Sequence, residues 1–395
     1  MRTVEIVLAL VVLATVVATF ARRLRVPAPS LLVVAGLAVG LIPGVPTIRA
    51  TPGLVSLVVL PPLLYAAGEQ LPWHQVRQAW RPVSVLAIGL VAATAAAVAA
   101  VTVAVTSIPP ATAFVLGAVL ASTDPVAVTA LGRRLGLPDR IQAIVSAESL
   151  FNDATSLVLF RVAVGVVMAG GTVAWGSAAL QFVRLAGGGA LIGALIAAGV
   201  VVVRRRIDDP VLDTVAALVT PYLVYVVAEA AHTSGVTAVV VTSLVVGTRT
   251  RRRTNARGRL QVDAVYNTVI FLLESVVFAL IGLQLPVLVG DLPGAQGGWP
   301  FAAAAVTLTL IMVRVAWVFP LAAVTQRRTG ARRLSWQAPA VVSWAGARGV
   351  VPLAAALSIP LTVGDGSPLG DRSLVVVIAT VVIALTLVVQ GLSLE

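Results

Sequence analysis

Between Ala147 and Arg161 the segment AESLFNDATSLVLFR sets Glu148, Ser149, Asn152 and Asp153 into a run otherwise apolar enough for a bilayer. On a helix Glu148 and Asn152 are four residues apart, as are Ser149 and Asp153, so the four share one side. A carboxylate at membrane depth costs about 2.5 kcal/mol or more unless it faces a partner or a water-filled cavity. Two carboxylates beside an amide and a hydroxyl have the chemistry of a site for a small cation or a proton. A structural ion pair inside a helix bundle is the plainer alternative.

Asp153 is the candidate for the exchanging group. Such a site needs one carboxylate that holds either a proton or a cation, never both, and desolvation of a carboxylate brings its protonation closer to neutral pH. Sodium takes hard oxygen ligands, which Asp153, Asp124, the Ser149 hydroxyl and a freed carbonyl such as that of Thr123 can supply. Asn152 stands where a second titrating carboxylate could have stood and serves as an uncharged orienting group. One exchanging carboxylate implies one cation per proton, hence electroneutral exchange. Glu148 is expected to be held ionised by a permanently charged arginine. Arg348 is the first choice, with Arg161 and Arg314 as alternatives. Glu229 and Glu274 also fall within apolar runs, where a buried hydrogen-bonded carboxylate is the ordinary reading, while Glu69 sits near a run's end, where a long side chain can reach the headgroups.

The composition says what must position these groups. The chain has 395 residues, 59% hydrophobic and only 11% charged, against roughly 25% charged in a soluble domain. This is a multi-pass membrane protein. Cysteine is absent and the two histidines, His74 and His232, lie far apart, so no cysteine- or histidine-ligated metal centre and no cofactor is expected. All 28 basic residues are arginine and the net charge is +12, yet the arginines punctuate apolar runs as topology determinants do, which excludes nucleic-acid binding as their purpose. Residues 4–20 are followed, not preceded, by Arg22, Arg23 and Arg25, the order of an uncleaved first helix rather than a signal peptide.

Spanning runs are predicted near 4–20, 27–46, 53–70, 82–106, 110–131, 141–169, 177–203, 211–231, 234–247, 264–289, 299–325, 336–360 and 371–391. Alternate connections, at 21–26, 71–81, 132–140, 204–209, 248–260 and 326–335, hold 21 arginines, while the opposite side carries Arg2, Arg49 and Arg372. This asymmetry predicts a cytoplasmic Arg-rich side, with the N-terminus outside and Glu395 inside. The most basic connection, 248–260, is expected to touch anionic lipid headgroups.

Thirteen runs divide as six, one and six, the arithmetic of an inverted repeat. The fifth and twelfth runs then correspond, and both are interrupted: one by Ser122-Thr123-Asp124-Pro125, the other by Gly346-Ala347-Arg348-Gly349 and Pro352. Matching interruptions in two halves point to a binding site near the midplane.

These residues resemble the monovalent cation:proton antiporters of the NhaP type, kin to the animal sodium/proton exchangers. The resemblance rests on STDPVAV from Ser122, ESLFNDA from Glu148, TPYLVY from Thr220 and the AE and SG pairs between Ala228 and Gly235. It continues with LLE and FALIGLQLP from Leu272, WAGARGV from Trp344 and VVQGLSL from Val388. It implies a homodimer in the bacterial inner membrane, with a mobile core and an interface part. The core would comprise mainly 82–169 and 299–391, the interface mainly 4–70 and 211–289, with 177–203 as linker. It implies a cation site at Asp153, Asp124, Ser149 and the Thr123 backbone, and a structural ion pair of Glu148 with Arg348 bridged by Asn152. Asn152 followed by Asp153 marks the electroneutral branch. Members often continue into a cytoplasmic tail, whereas this sequence stops at Glu395.

The expectation is therefore an all-α membrane protein with two broken, crossed helices that exchanges Na+ or Li+ for H+ by alternating access. A K+/H+ or mixed Na+/K+ antiporter is the alternative, since oxygen ligands alone do not set ion size. A cation channel is the next, disfavoured because a channel needs a continuous pore and a symmetric filter. A non-transporting sensor would leave the charged constellation without a purpose, and no nucleophile-base pair supports an enzyme.

Overall fold

The computed structural model describes residues 2–24, 27–43, 52–78, 80–124, 139–171, 175–207, 209–250, 256–292, 297–328, 336–344, 346–362 and 369–393. The chain begins with α1 (Arg2–Leu24), α2 (Ala28–Gly40), α3 (Pro52–Gln70) and the short α4 (Trp73–Gln78). It continues with α5 (Trp80–Val105), π-helical over Val85–Leu90, and α6 (Pro110–Leu120). Next come α7 (Asp139–Met168), α8 (Trp175–Arg204), α9 (Pro210–Ala230), α10 (Gly235–Thr250) and α11 (Ala256–Gly290). The last are α12 (Trp299–Arg328), α13 (Gln337–Trp344), α14 (Val350–Leu357) and α15 (Arg372–Ser393). Every predicted apolar run is thus met by helix, and among the described residues seven helices are long and apolar enough to cross a membrane. The second half of the fifth run, from Pro125, lies outside the described residues.

The sequence gives local reasons for the ends. Pro110 and Pro210 sit at first helical positions, where the missing N–H would have no partner anyway. Asp209 caps α9 by accepting the Val211 N–H at 2.7 Å. The outward faces stay apolar, as lipid requires: Leu191, Leu195 and Val202 of α8 are all exposed. Inside, α15 is the most enclosed long helix, with Val375 to Ala379, Val382 and Ile383 buried.

Two interruptions organise the centre. After α6 the chain leaves the helix, with Ser122 to Asp124 non-helical; the proline that follows in sequence disfavours helix at Asp124. Between α13 and α14, residues 346–349 are non-helical as well. The two breaks touch: the Asp124 N–H donates to the Ala347 carbonyl at 2.8 Å. A Cβ on Gly349 would fall 1.8 Å from Asp124 Oδ2, so only glycine admits this crossing.

Around it, helices pack through small residues. α2 lies so close to α11 that a Cβ on Gly282 would stand 2.1 Å from the Val33 carbonyl oxygen. A polar knot ties α3, α8 and α9: Arg204 meets Asp213 through Nε (2.6 Å) and Nη2 (3.0 Å), and Glu69 through Nη1 (3.0 Å). Glu69 therefore does not reach for the headgroups as its place near the run's end suggested; it is drawn inward by Arg204.

The α2–α11 contact makes a direct prediction. Gly282→Ala overpacks it and is expected to cost about 1–3 kcal/mol, read as a lower thermal midpoint of the detergent-purified protein. Gly199→Ala, where no heavy atom lies within 4 Å of the added methyl, should leave the midpoint unchanged or slightly raised.

Candidate cation and proton site

Helix α7 runs past the crossing and presents Glu148, Ser149, Asn152 and Asp153 to it, all buried. The Ser149 hydroxyl donates to the Thr123 carbonyl at 2.8 Å. Asn152 Nδ2 donates to Thr123 Oγ1 at 2.8 Å and to Glu148 Oε1 at 3.4 Å, while the Thr123 N–H points to Asn152 Oδ1 at 3.5 Å. Thr123 is thus clasped at its amide, carbonyl and hydroxyl by one face of α7, which holds the break in register. Thr123, Asp124, Ser149 and Asp153 line a single cavity of about 390 Å³, together with Gln70, Leu71 and Pro72 at the end of α3 and Glu274 of α11. The four residues expected from the sequence to hold a cation all line this cavity.

The ion pair corrects one sequence expectation. Glu148 meets Arg314 of α12, not Arg348, in a two-pronged pair: Nη1 to Oε1 at 2.9 Å and Nη2 to Oε2 at 3.1 Å. Both side chains are buried, at 4% and 1% exposure for Arg314 and Glu148. Arg314 Nε also donates to the Val342 carbonyl at 3.1 Å. Arg348 is equally buried but serves the breaks themselves. Its Nε donates to the Leu120 carbonyl at 3.1 Å and its Nη1 to the Gly346 carbonyl, and its own N–H donates to Thr386 Oγ1 at 3.2 Å. The physical reason is that a half-helix ending at membrane depth leaves carbonyls without intrahelical donors. A cation beside them answers both the missing hydrogen bonds and the negative end of the helix dipole. A sequence signal for Arg314 existed, as a lone arginine deep in an apolar helix. Its choice over Arg348 depended on the packing of α12 against Gly346, where a Cβ would lie 2.6 Å from Arg314 Cδ.

A second cavity of about 500 Å³ lies farther along α7, lined by Leu157, Phe160 and Arg161 with Ser56, Leu60, Tyr225 and Ser358. Here Arg161 pairs with Glu229 of α9 at 2.5 Å, and Glu229 also accepts the Gly235 N–H at 2.9 Å. Glu229 is thus a paired carboxylate, and Arg161 is accounted for without Glu148.

Residues 8–395 match the protein family described as "Sodium/hydrogen exchanger, transmembrane". The chain belongs to this family. It is a family of secondary transporters, not enzymes, and the chain is accordingly a multi-pass integral membrane protein. A relative in Mycobacterium bovis, "Uncharacterized Na(+)/H(+) exchanger Mb2309", is 37% identical over 98% of this chain and 73% of its own length. The "Sodium, potassium, lithium and rubidium/H(+) antiporter" of Bacillus pumilus is 31% identical over 93% of this chain, which spans 57% of that longer protein. Among solved structures, the sodium proton antiporter MjNhaP1 of Methanocaldococcus jannaschii superposes with a TM-score of 0.79 over 99% of both chains at 18% identity. The fold is therefore that of this exchanger, including its helical architecture.

The ion pair is testable by its non-additivity. Glu148→Gln or Arg314→Gln alone strands a buried charge and is expected to cost roughly 3–5 kcal/mol, seen as a fall in the thermal midpoint. The double variant should recover part of that loss; strictly additive losses would mean that the two do not interact.

Proposed function

We propose that this protein exchanges Na+ (or Li+) for H+ across the bacterial inner membrane, one for one, by alternating access. The observation that carries the reading is the meeting of Asp153, Asp124, Ser149 and the Thr123 break in one cavity at the crossing of two interrupted helices. A carboxylate as enclosed as Asp153 is stable only with a positive partner. A proton satisfies that need and so does a dehydrated cation held by the neighbouring oxygens, but the two exclude each other. Exclusive occupancy is what couples the two fluxes. The bidentate Glu148–Arg314 pair is already neutral and stays out of the exchange, and Asn152 carries no charge, so the site moves one positive charge in each direction.

The access geometry fits this cycle. One cavity reaches Asp153 past Gln70 and Leu71, next to the predicted Arg-rich connection 71–81; the other approaches from the opposite half of α3. With the Arg-rich side cytoplasmic and the N-terminus outside, this is an inward-open arrangement. On the far side, a hydrogen bond of 2.6 Å joins Ser56 of α3 to Ser358 just after α14. Movement of the part holding α5 to α7 and α12 to α15 against the part holding α1 to α3 and α9 to α11 would exchange the two openings. The α2–α11 and α6–α7 packing supports that division, and the family resemblance supports a homodimer. A potassium-accepting exchanger is the second reading, favoured by the Bacillus relative named for sodium, potassium, lithium and rubidium.

Proteoliposomes with an internal pH dye, challenged with lithium, sodium, potassium and choline, test this directly. Sodium and lithium should drive proton movement, choline should not, and Asp153→Asn should abolish the response while leaving the protein folded. Clamping the membrane potential with valinomycin at two potassium gradients should leave sodium-driven exchange unchanged; a clear shift with voltage would exclude the one-for-one stoichiometry.

A further inference from the structure

The corner between α4 and α5 holds a cavity of about 240 Å³ that the exchange chemistry does not use. At its α4 end it is lined by Trp73, Arg77 and Trp80, all exposed and all in the predicted Arg-rich connection 71–81. Arg81, also exposed, holds its guanidinium 5.6 Å from the centre of the Trp80 ring, a cation–π distance that keeps it beside this end. From there the lining follows α5 through Val83, Ala87 and Ile88, with Phe151 and Thr155 of α7 behind it. Thr155 spends its hydroxyl on the Phe151 carbonyl at 2.9 Å. Trp80 to Ile88 is about 12 Å of helix. Ala87 and Ile88 fall in the π-helical stretch of α5, a departure from the α-helix found often at functional sites. The α5 end faces hydrocarbon: Ile88 is 57% and Val85 43% exposed, on a helix long and apolar enough to span. A ligand that fits both ends carries an anion at one and an acyl chain at the other.

We propose that this corner is a binding site for an anionic phospholipid, with its phosphate on Arg77 and Arg81 and one acyl chain along Val83, Ala87 and Ile88 against Phe151. The guanidinium fork matches phosphate oxygens, so the two arginines suit an anionic head better than a neutral one. Exposed tryptophans mark the headgroup level of a spanning helix, and here Trp73 and Trp80 stand at the same end as the arginines. The head and the chain of one lipid thus meet their partners at the depths where each belongs. A free phosphate ester would use only the arginines and leave the apolar wall uncovered. Because α7 forms the back of the cavity, and Phe151 directly precedes Asn152, the bound chain packs against the helix that carries the candidate cation site. The lipid assignment itself does not depend on the antiport reading.

The test uses the full chain purified in detergent and a phosphatidylglycerol whose acyl chain bears a photoreactive diazirine. The labelled residues are mapped by mass spectrometry. Label is then competed with excess phosphatidylglycerol, with phosphatidylcholine of the same chains, or with water-soluble glycerophosphoglycerol. We expect label on Val83–Ile88 and around Phe151 that phosphatidylglycerol displaces and the other two do not. Arg77→Gln with Arg81→Gln should lower the affinity of this label by about fivefold for each arginine removed. Arg205→Gln with Arg206→Gln, which removes two exposed arginines from another Arg-rich connection, should leave it unchanged. Displacement by phosphatidylcholine as well as by phosphatidylglycerol, an equal loss in both double variants, or label no stronger than on the exposed Leu191 of α8 would each overturn the proposal. Displacement by glycerophosphoglycerol would put a soluble phosphate ester at the site and overturn the lipid assignment. The competition arms need only the wild type, so they decide the matter however the variants fold.

Discussion

A polypeptide that stops being helical in the middle of a membrane must find partners for the peptide groups it sets free. Here that demand is met at one place, where the break after α6 lies against the break between α13 and α14. The Asp124 amide is answered by the Ala347 carbonyl, and the Leu120 and Gly346 carbonyls by Arg348. Thr123 is answered by the face of α7. The crossing is tight enough to require Gly349 against the Asp124 carboxylate. Once these groups are satisfied by one another, the backbone at the centre is polar, ordered and shielded from lipid. That is the setting in which a small cation can lose its water.

The same arrangement ties off one buried carboxylate completely. Glu148 and Arg314 cancel each other in a buried, bidentate pair. Such a pair gives little net stability over an apolar equivalent, but losing either member is costly. Asn152 spans the two systems, hydrogen bonding Glu148 on one side and Thr123 on the other. Thr123, and with it the break after α6, is thereby positioned by an uncharged amide tied to an ion pair.

Much of this was legible in the sequence. The i, i+4 spacing of Glu148 with Asn152 and of Ser149 with Asp153 placed four polar groups on one helix side, and one face of α7 does carry them into the crossing. The interruptions at Asp124-Pro125 and Gly346–Gly349 were legible because proline and glycine act locally. The partner of Glu148 was not, because three arginines were within plausible reach and only packing distinguishes them. Arg348 was the natural choice by its place in the second break, yet that place gives it carbonyls to satisfy; Arg314, a helix away in sequence, has the free fork. Glu69 was misjudged for a related reason: nearness to a run's end says nothing about an arginine brought up by α8. Glu274, read from the sequence as a core carboxylate, is found in the cavity lining, which only the packing of α11 could reveal.

Competition of proton and cation for one carboxylate would show in the apparent KM for sodium measured across pH. The KM should climb as pH falls, approaching tenfold per unit, about 1.4 kcal/mol, once protonation dominates. Saturating sodium should relieve the acid inhibition, so the acid limb of the activity profile moves with sodium concentration. An acid limb that stays fixed from low to saturating sodium would place the proton at a separate sensor and contradict single-site exchange at Asp153.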